Sequence, residues 1–368
     1  MMPAVPALTC RAPYIGRFAP SPSGALHMGS LVAALASYLD ARLHQGQWLV
    51  RIEDIDETRS VPGAGEQILH TLQQLGMHWD GEVVWQSRRK HLYQMAFASL
   101  APHAYACTCS RREIADSALR LGLGLATDGA VIYPGTCRPP DTDLTRTEYI
   151  AAYAGEPVKP YRTAKMAADN RCHTNPVNTA GQHSRGKERR SSALRLRVPE
   201  PGQPIQFMDR RLGLLSQDLG REVGDFVLQR QDGFWSYQMA VVVDDGAQEI
   251  THVVRGEDLI DSTARQIYLH QLLQQTTPLW LHVPVVRNAN GEKLSKQTGA
   301  TALDLTQPLR TLHTAAQWLE LNLGKCDTAG QFWDAALHGW QQKLHDWSAA
   351  NQHPLAHANA NANASSLS

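Results

Sequence analysis

The stretch from Tyr14 to Ile52 constrains this chain more than any other. Tyr14 to Phe18 is a short apolar run with the character of a buried strand, and a Pro/Ser/Gly turn from Ala19 to Gly24 follows it. From Ala25 to about Gln45 apolar residues return at helical spacing, at Leu26, Leu31, Leu35, Leu39 and Leu43. Trp48 to Ile52 reads as a second buried strand. Strand, glycine-bearing turn, helix and strand in that order open an α/β nucleotide-binding domain with parallel strands. His27 and Gly29 stand where the helix begins. Helix-terminal N–H groups and the helix dipole favour an anion there, and glycine lets a phosphate approach the backbone. An imidazole at that point can donate to charge developing on an α-phosphate. His27 is therefore a candidate catalytic and ATP-binding residue, with Gly29 beside it.

The second strand runs into WLVRIEDIDETR, residues 48–59. Ligands of open α/β sheets bind beyond the carboxyl ends of strands, so a carboxylate there can hold a substrate ammonium. Glu53 is the candidate, while Asp56 and Glu57 read as solvated charges. Farther on come WSYQMAVVVDD (235–245) and THVVRGED (251–258). A substrate with two carboxylates needs two cations, and guanidinium binds carboxylates in bidentate fashion. Arg17 and Arg255 form the natural pair, and the bland alternative for Arg255 is an ion pair with Glu257 or Asp258. The loop KLSKQ (293–297) offers Lys293 and Lys296, which can close on phosphates and stabilise charge as pyrophosphate leaves.

Of six cysteines, Cys107, Cys109 and Cys137 cluster, while Cys10, Cys172 and Cys326 are scattered. Clustered thiols in a reducing compartment more often bind metal than form disulfides, and thiolates prefer zinc. A structural zinc site needs a fourth ligand, for which Cys172, His103 and Tyr133 are the candidates.

From Tyr14 to Gln297 these motifs stand in one order, and in that order they resemble the class I glutamyl- and glutaminyl-tRNA synthetases. Residues 26–29, LHMG, resemble the "HIGH" region, RIEDID the segment whose glutamate binds the amino acid, and KLSKQ the "KMSKS" loop. The resemblance implies a Rossmann-like catalytic core with ATP as substrate, together with Mg²⁺. It implies a glutamate pocket formed by Arg17, Phe18, Ala19, Pro20, Ser21, Glu53, Tyr237 and Arg255. ATP would be held by His27, Gly29, Lys293 and Lys296, and His27 and Lys296 would carry the catalysis. It also nominates Tyr133 as the fourth ligand of one structural Zn²⁺, with Cys107, Cys109 and Cys137. One position departs from the pattern: Val241 stands where ordinary glutamyl-tRNA synthetases commonly carry asparagine, which implies a drier pocket.

Little chain follows KLSKQ, so the resemblance narrows to a truncated branch of the family that lacks the large anticodon-binding domain. That branch implies ATP-dependent activation of glutamate and its transfer to queuosine at the wobble position of tRNA(Asp). The alternatives are a small glutamyl-tRNA synthetase charging a tRNA 3′ end and a catalytically inactive tRNA-binding paralogue. Lys+Arg and Asp+Glu both number 35. An RNA partner must then be met by a local basic face rather than by net charge. The N-terminus lacks a basic segment followed by an apolar one, and no stretch is apolar enough to span a bilayer. A cytoplasmic monomer with no membrane partner is expected.

The expected organisation is an N-terminal extension (1–13), the first half of the catalytic domain (14–100), and an inserted zinc-binding subdomain (101–193). Its polar, basic residues 138–193 read as a flexible insertion. The second half of the catalytic domain (194–300), a short helical C-terminal region (301–354) and a disordered tail (355–368) complete it. Helices are expected near 64–75, 88–100, 237–243, 262–274 and 309–348, and strands near 193–198, 226–229 and 250–254.

Overall fold

The computed structural model describes residues 13–126, 129–140, 192–287, 294 and 302–352. The expectations for the N-terminal extension, nearly all of the basic insertion, Cys172, Lys293, Lys296 and the tail fall outside these residues. In chain order the elements are β1 (Ile15–Phe18), α1 (Met28–Leu43), β2 (Gln47–Ile52), α2 (Ala64–Gln74), β3 (Val84–Trp85), α3 (Lys90–Leu100), β4 (Ala104–Cys107) and α4 (Arg111–Arg120). After the insertion come β5 (Ala193–Leu196), β6 (Ile205–Asp209), β7 (Gly213–Gln217), α5 (Leu219–Glu222), β8 (Phe226–Gln229) and α6 (Tyr237–Ala247). Then follow β9 (His252–Gly256), α7 (Thr263–Leu272), β10 (Leu279–Val283), α8 (Pro308–Trp318) and α9 (Ala329–Gln352).

The larger sheet has the order β3-β2-β1-β9-β10-β6-β7. Six strands run parallel, and β7 returns antiparallel at the edge. Trp48, Val50 and Ile52 alternate along β2 and bury one face against α1, whose Leu31, Leu35 and Leu39 are inaccessible to solvent. From β1 the chain crosses to β2 on one side, while β9 lies on the other side of β1. That reversal splits the loops above β1 and β9 and opens a crevice at the carboxyl ends of the strands.

The smaller sheet, β4-β5-β8, is antiparallel and packs against α3 and α6. It draws strands from both sides of residue 193, because Ala193–Leu196 pairs with Ala104–Cys107 as well as with Phe226–Gln229. The hairpin β6–β7 and the strand β10 carry no strong periodic signature, since Met208, Leu214 and Leu279 are apolar yet exposed. The expected helical region 309–348 is two helices. The stripe Phe332, Ala336 and Trp340 buries α9 against the core beside α1, and Trp340 donates Nε1–H to Asp40 Oδ1 at 3.1 Å. Asp40 also accepts from Tyr14 (2.6 Å) and from both Nη atoms of Arg210 (2.6 and 2.9 Å), tying helix, sheet edge and C-terminal region together. No helix of the described residues is long and apolar enough to cross a membrane.

Candidate active site

The crevice above β1 and β9 is a cleft of about 670 Å³. Arg17 to Ser21 follow β1 into its wall, His27 and Gly29 stand at the start of α1, and Tyr237 and Arg255 come from α6 and β9. The fold thus brings together residues that the sequence spreads over 239 positions, from 17 to 255. Lys293 and Lys296 lie outside the described residues, but Leu294 between them lines the cleft. Its N–H donates to the Val286 carbonyl at 2.8 Å, and Ala302 bridges to His27. Leu294 within the KLSKQ segment and Ala302 after it are therefore held beside the N-terminus of α1.

His27 is the N-cap of α1: its backbone is extended, and its Nδ1 faces the Ser30 N–H at 3.4 Å. The Ser30 hydroxyl lies 3.1 Å from Nε2. Gly29 sits directly below the ring. A Cβ there would meet the His27 ring at 3.1 Å and the Leu294 carbonyl at 3.3 Å, so glycine keeps the imidazole and the loop in contact. The first-turn N–H groups of α1, with the imidazole capping that of Ser30, offer an anion a place at the helix N-terminus.

Beneath the floor lies a closed set of charges. Arg17 grips Asp245 through Nε (3.2 Å) and Nη2 (3.3 Å). Arg51, with no exposed surface, donates Nη2 to Asp245 (2.8 Å) and to Glu53 (3.2 Å), and Nη1 to Gln248 (2.7 Å). Arg89 donates to Asp244 at 2.6 Å, and Tyr93 and Gln86 complete that carboxylate. Burial opposes the charge on Asp245, but Arg17 and Arg51 outweigh it and hold its pKa down at about 2. Burial raises Glu53 instead, with Arg51 and Arg17 only partly offsetting it. Arg17 thus reaches the cleft with one edge committed to Asp245. Glu53 does not line the cleft: its N–H donates to the Pro20 carbonyl in the wall at 2.9 Å. Its Oε2 has no hydrogen-bond partner among the described residues.

Arg255 is different. It is 4% exposed, and its donors meet only neutral acceptors: His282 Nε2 (3.1 Å), Gln266 Oε1 (2.8 Å), Thr263 Oγ1 (2.9 Å), the Leu259 carbonyl (3.1 Å) and the Tyr237 hydroxyl (3.4 Å). The alternative ion pair with Glu257 is not formed, because Glu257 pairs with Arg211. No carboxylate among the described residues lies within ion-pair distance of Arg255. Burial therefore depresses its pKa, and the longest of its bonds, to Tyr237, faces the cleft. Val241, on the helix that begins at Tyr237, is fully buried among apolar neighbours.

Residues the motifs did not single out complete the site. Arg51, Asp244 and Asp245 lie inside quoted strings without an assigned role, while Asp209 and His282 lie outside every string. The signal available for the two aspartates was their place after three valines, where a solvated acid pair is out of character.

About β4 a second cluster forms. The sulfurs of Cys107, Cys109 and Cys137 all lie within 4.8 Å of one another, Cys109 and Cys137 at 3.3 Å. The Tyr133 hydroxyl is 3.4 Å from Cys107 Sγ and accepts from the Cys137 N–H at 2.9 Å. All three cysteines are free thiols. Burial and the neighbouring thiols push Cys109 up to about 12. Tetrahedral thiolates about 2.3 Å from zinc lie about 3.8 Å apart, a spacing close to that of the three sulfurs, with the Tyr133 hydroxyl beside Cys107. His103 is not in the cluster, and Cys172 lies outside the described residues.

The model of the family described as tRNA synthetases class I (E and Q), catalytic domain, matches residues 15–120 and 146–310. A glutamyl-Q tRNA(Asp) synthetase from Verminephrobacter eiseniae is 51% identical over 335 residues, covering 90% of this chain and 98% of the relative. Another so named, from a Janthinobacterium species, is 51% identical over 334 residues with the same coverage. Among solved structures, a glutamate tRNA ligase from Elizabethkingia meningosepticum in complex with its amino acid matches with a TM-score of 0.57 at 25% identity. That match covers 78% of this chain and 52% of the other, so this chain spans about half the length of that ligase. The family match over most of its length and the 51% identity to full-length relatives show that the chain belongs to the class I tRNA synthetases of the E and Q type, which are ATP-dependent ligases.

Proposed function

We propose that this chain activates glutamate with ATP and transfers it to queuosine at the wobble position of tRNA(Asp). The observation that carries glutamate is Arg255, a buried cleft cation with no described carboxylate within ion-pair distance, on which Asp245 acts only from farther off. A substrate carboxylate meeting Arg255 and Tyr237 supplies the missing charge, with the free edge of Arg17 beside it. We assign to Glu53, just behind the Pro20 wall, the negative charge that the substrate ammonium faces. The acceptor rests on the relatives, which are named glutamyl-Q tRNA(Asp) synthetases.

In the first step an oxygen of the glutamate α-carboxylate attacks the α-phosphorus of ATP, which arrives with Mg²⁺. The bond to pyrophosphate breaks and glutamyl-adenylate forms. His27 and the first-turn N–H groups of α1 take up charge at the α-phosphate, while Lys293 and Lys296 take the leaving pyrophosphate. In the second step a hydroxyl of the queuosine cyclopentenediol attacks the carbonyl carbon and AMP leaves. Positioning and electrostatics supply most of the acceleration.

The acceptor is tested with tRNA(Asp) with and without queuosine, oxidised at the 3′ end under conditions that spare the wobble diol. Glutamate is expected to attach only to the queuosine-bearing RNA. Labelling that requires an intact 3′ ribose and ignores queuosine assigns the chain to 3′-end charging instead.

Cys107, Cys109, Tyr133 and Cys137 would hold one Zn²⁺, which clamps the end of β4 to the 133–137 loop. Purified protein is expected to contain about one zinc per chain, with Cys107→Ala losing it and melting at lower temperature. A metal-free wild type of full activity removes zinc from the account.

A further inference from the structure

Arg255 can serve a substrate carboxylate only if its guanidinium is held in one orientation, and the groups that hold it reach well behind the cleft. His282, buried on β10, has Nε2 3.1 Å from Arg255 Nε and 3.3 Å from the Thr263 hydroxyl. Arginine has no lone pair to offer, so Nε2 must be the acceptor and the ring proton must sit on Nδ1. Nδ1 lies 2.7 Å from Asp209 Oδ2, which suits a donated proton. Asp209 is itself immobilised: Oδ2 also accepts from the His282 N–H (3.0 Å), and Oδ1 accepts from the N–H groups of Arg211 (3.0 Å) and Leu212 (2.9 Å) in the β6–β7 turn. The opposite tautomer would set a lone pair against a carboxylate at one end and N–H against N–H at the other.

From this geometry we propose that His282, oriented by Asp209, is a positioning residue that sets glutamate selectivity by fixing the guanidinium of Arg255. The inference rests on the assignment of Arg255 to a substrate carboxylate. Burial lowers the pKa of His282, which keeps the ring neutral beside the arginine. A neutral ring is the form required, because an imidazolium has no acceptor to offer Arg255. The turn between β6 and β7, outside the motif strings in sequence, becomes part of substrate recognition by this route.

The test uses the full chain and measures glutamate-dependent ATP–pyrophosphate exchange, with KM determined separately for glutamate and for ATP. Side-chain length separates the roles of His282. The asparagine amide reaches as far as Nδ1 and the glutamine amide as far as Nε2. His282→Asn, which keeps the bond to Asp209 and loses the acceptor for Arg255, is expected to raise the glutamate KM about ten- to a hundredfold. The ATP KM should stay within about twofold, and His282→Gln should recover most of the loss. Asp209→Asn must turn an amide donor toward either the turn N–H groups or Nδ1, and it is expected to raise the glutamate KM in the same way. If His282→Asn and His282→Gln change both KM values alike, or neither, the positioning role is overturned.

Arg255→Lys in the same assay separates the two readings. An unchanged glutamate KM in that variant removes the glutamate assignment itself, and the inference with it. A raised KM there with a normal His282→Asn removes only the positioning role. Should the His282 variants not fold, nitrogen-15 chemical shifts of the His282 ring in the wild type decide the matter. A proton on Nδ1 is expected, and a proton on Nε2 overturns the proposal.

Discussion

Arg255→Ala is expected to lower glutamate-dependent pyrophosphate exchange by about two to three orders of magnitude. Removing one partner of a buried charged contact costs on the order of 2–5 kcal/mol. The loss should appear in kcat/KM for glutamate while ATP binding at the α1 terminus persists, because His27 caps Ser30 there, whereas Arg255 bonds to Tyr237, Leu259, Thr263, Gln266 and His282. Four side-chain acceptors, on Tyr237, Thr263, Gln266 and His282, would also lose their donor. Exchange assays with each amino acid in turn are the measurement. Near-normal glutamate exchange in this variant would show that the pocket lies elsewhere.

Asp245→Ala is expected to damage the fold as well as the activity. It strands Arg17 opposite an apolar side chain and takes from the fully buried Arg51 the nearest of its carboxylates, leaving it Glu53 at 3.2 Å, and an uncompensated buried charge costs about 3–5 kcal/mol. Urea denaturation should show that loss, and Asp245→Asn should show less of it. The same carboxylate predicts a pH dependence. Its folded pKa of about 2 lies below the ordinary value of 3.8, so its contribution is full above pH 4. About 2 kcal/mol is then lost as pH falls from about 4 toward 2. Glu53 acts with the opposite sign: its raised pKa means that its proton stabilises the fold at low pH and the benefit fades as pH rises through the folded value. Subtracting the Asp245→Ala profile from wild type isolates the aspartate. A difference that does not shrink between pH 4 and pH 2 would remove Asp245 as the counter-ion of both arginines.

Much of the site could be read before any fold was known. The strand, turn and helix from Tyr14 to Leu43 announce themselves because helical and strand periodicities are local, set by neighbours three or four and two residues apart. His27 and Gly29 follow from that register, since a helix N-terminus is identified by its own first turn. The sulfur cluster was legible for the same reason: Cys107 and Cys109 are two apart, and Cys137 closes on them across one short excursion.

What the tertiary structure alone decided is the pairing of buried charges. Arg17 and Arg255 look equivalent as strings, two arginines at strand ends, yet one is paired with a carboxylate and the other has none within ion-pair distance among the described residues. The difference comes from sheet order. With β9 beside β1, α6 brings Asp245 against Arg17 and Arg51, 228 and 194 positions away, whereas Arg255 faces Thr263, Gln266 and His282. Asp209 reaches His282 across 73 positions because β6 lies beside β10. Periodicity carries no information about such contacts: hydrophobic pattern states that a residue is buried, but the energy of a buried charge depends on what stands within about 4 Å of it. The sequence by itself determined β1, α1 and β2, most of the longer helices, and the register that sets His27 and Gly29 at the head of α1. Which arginine was left without a described carboxylate at ion-pair distance was decided when the strands took their places.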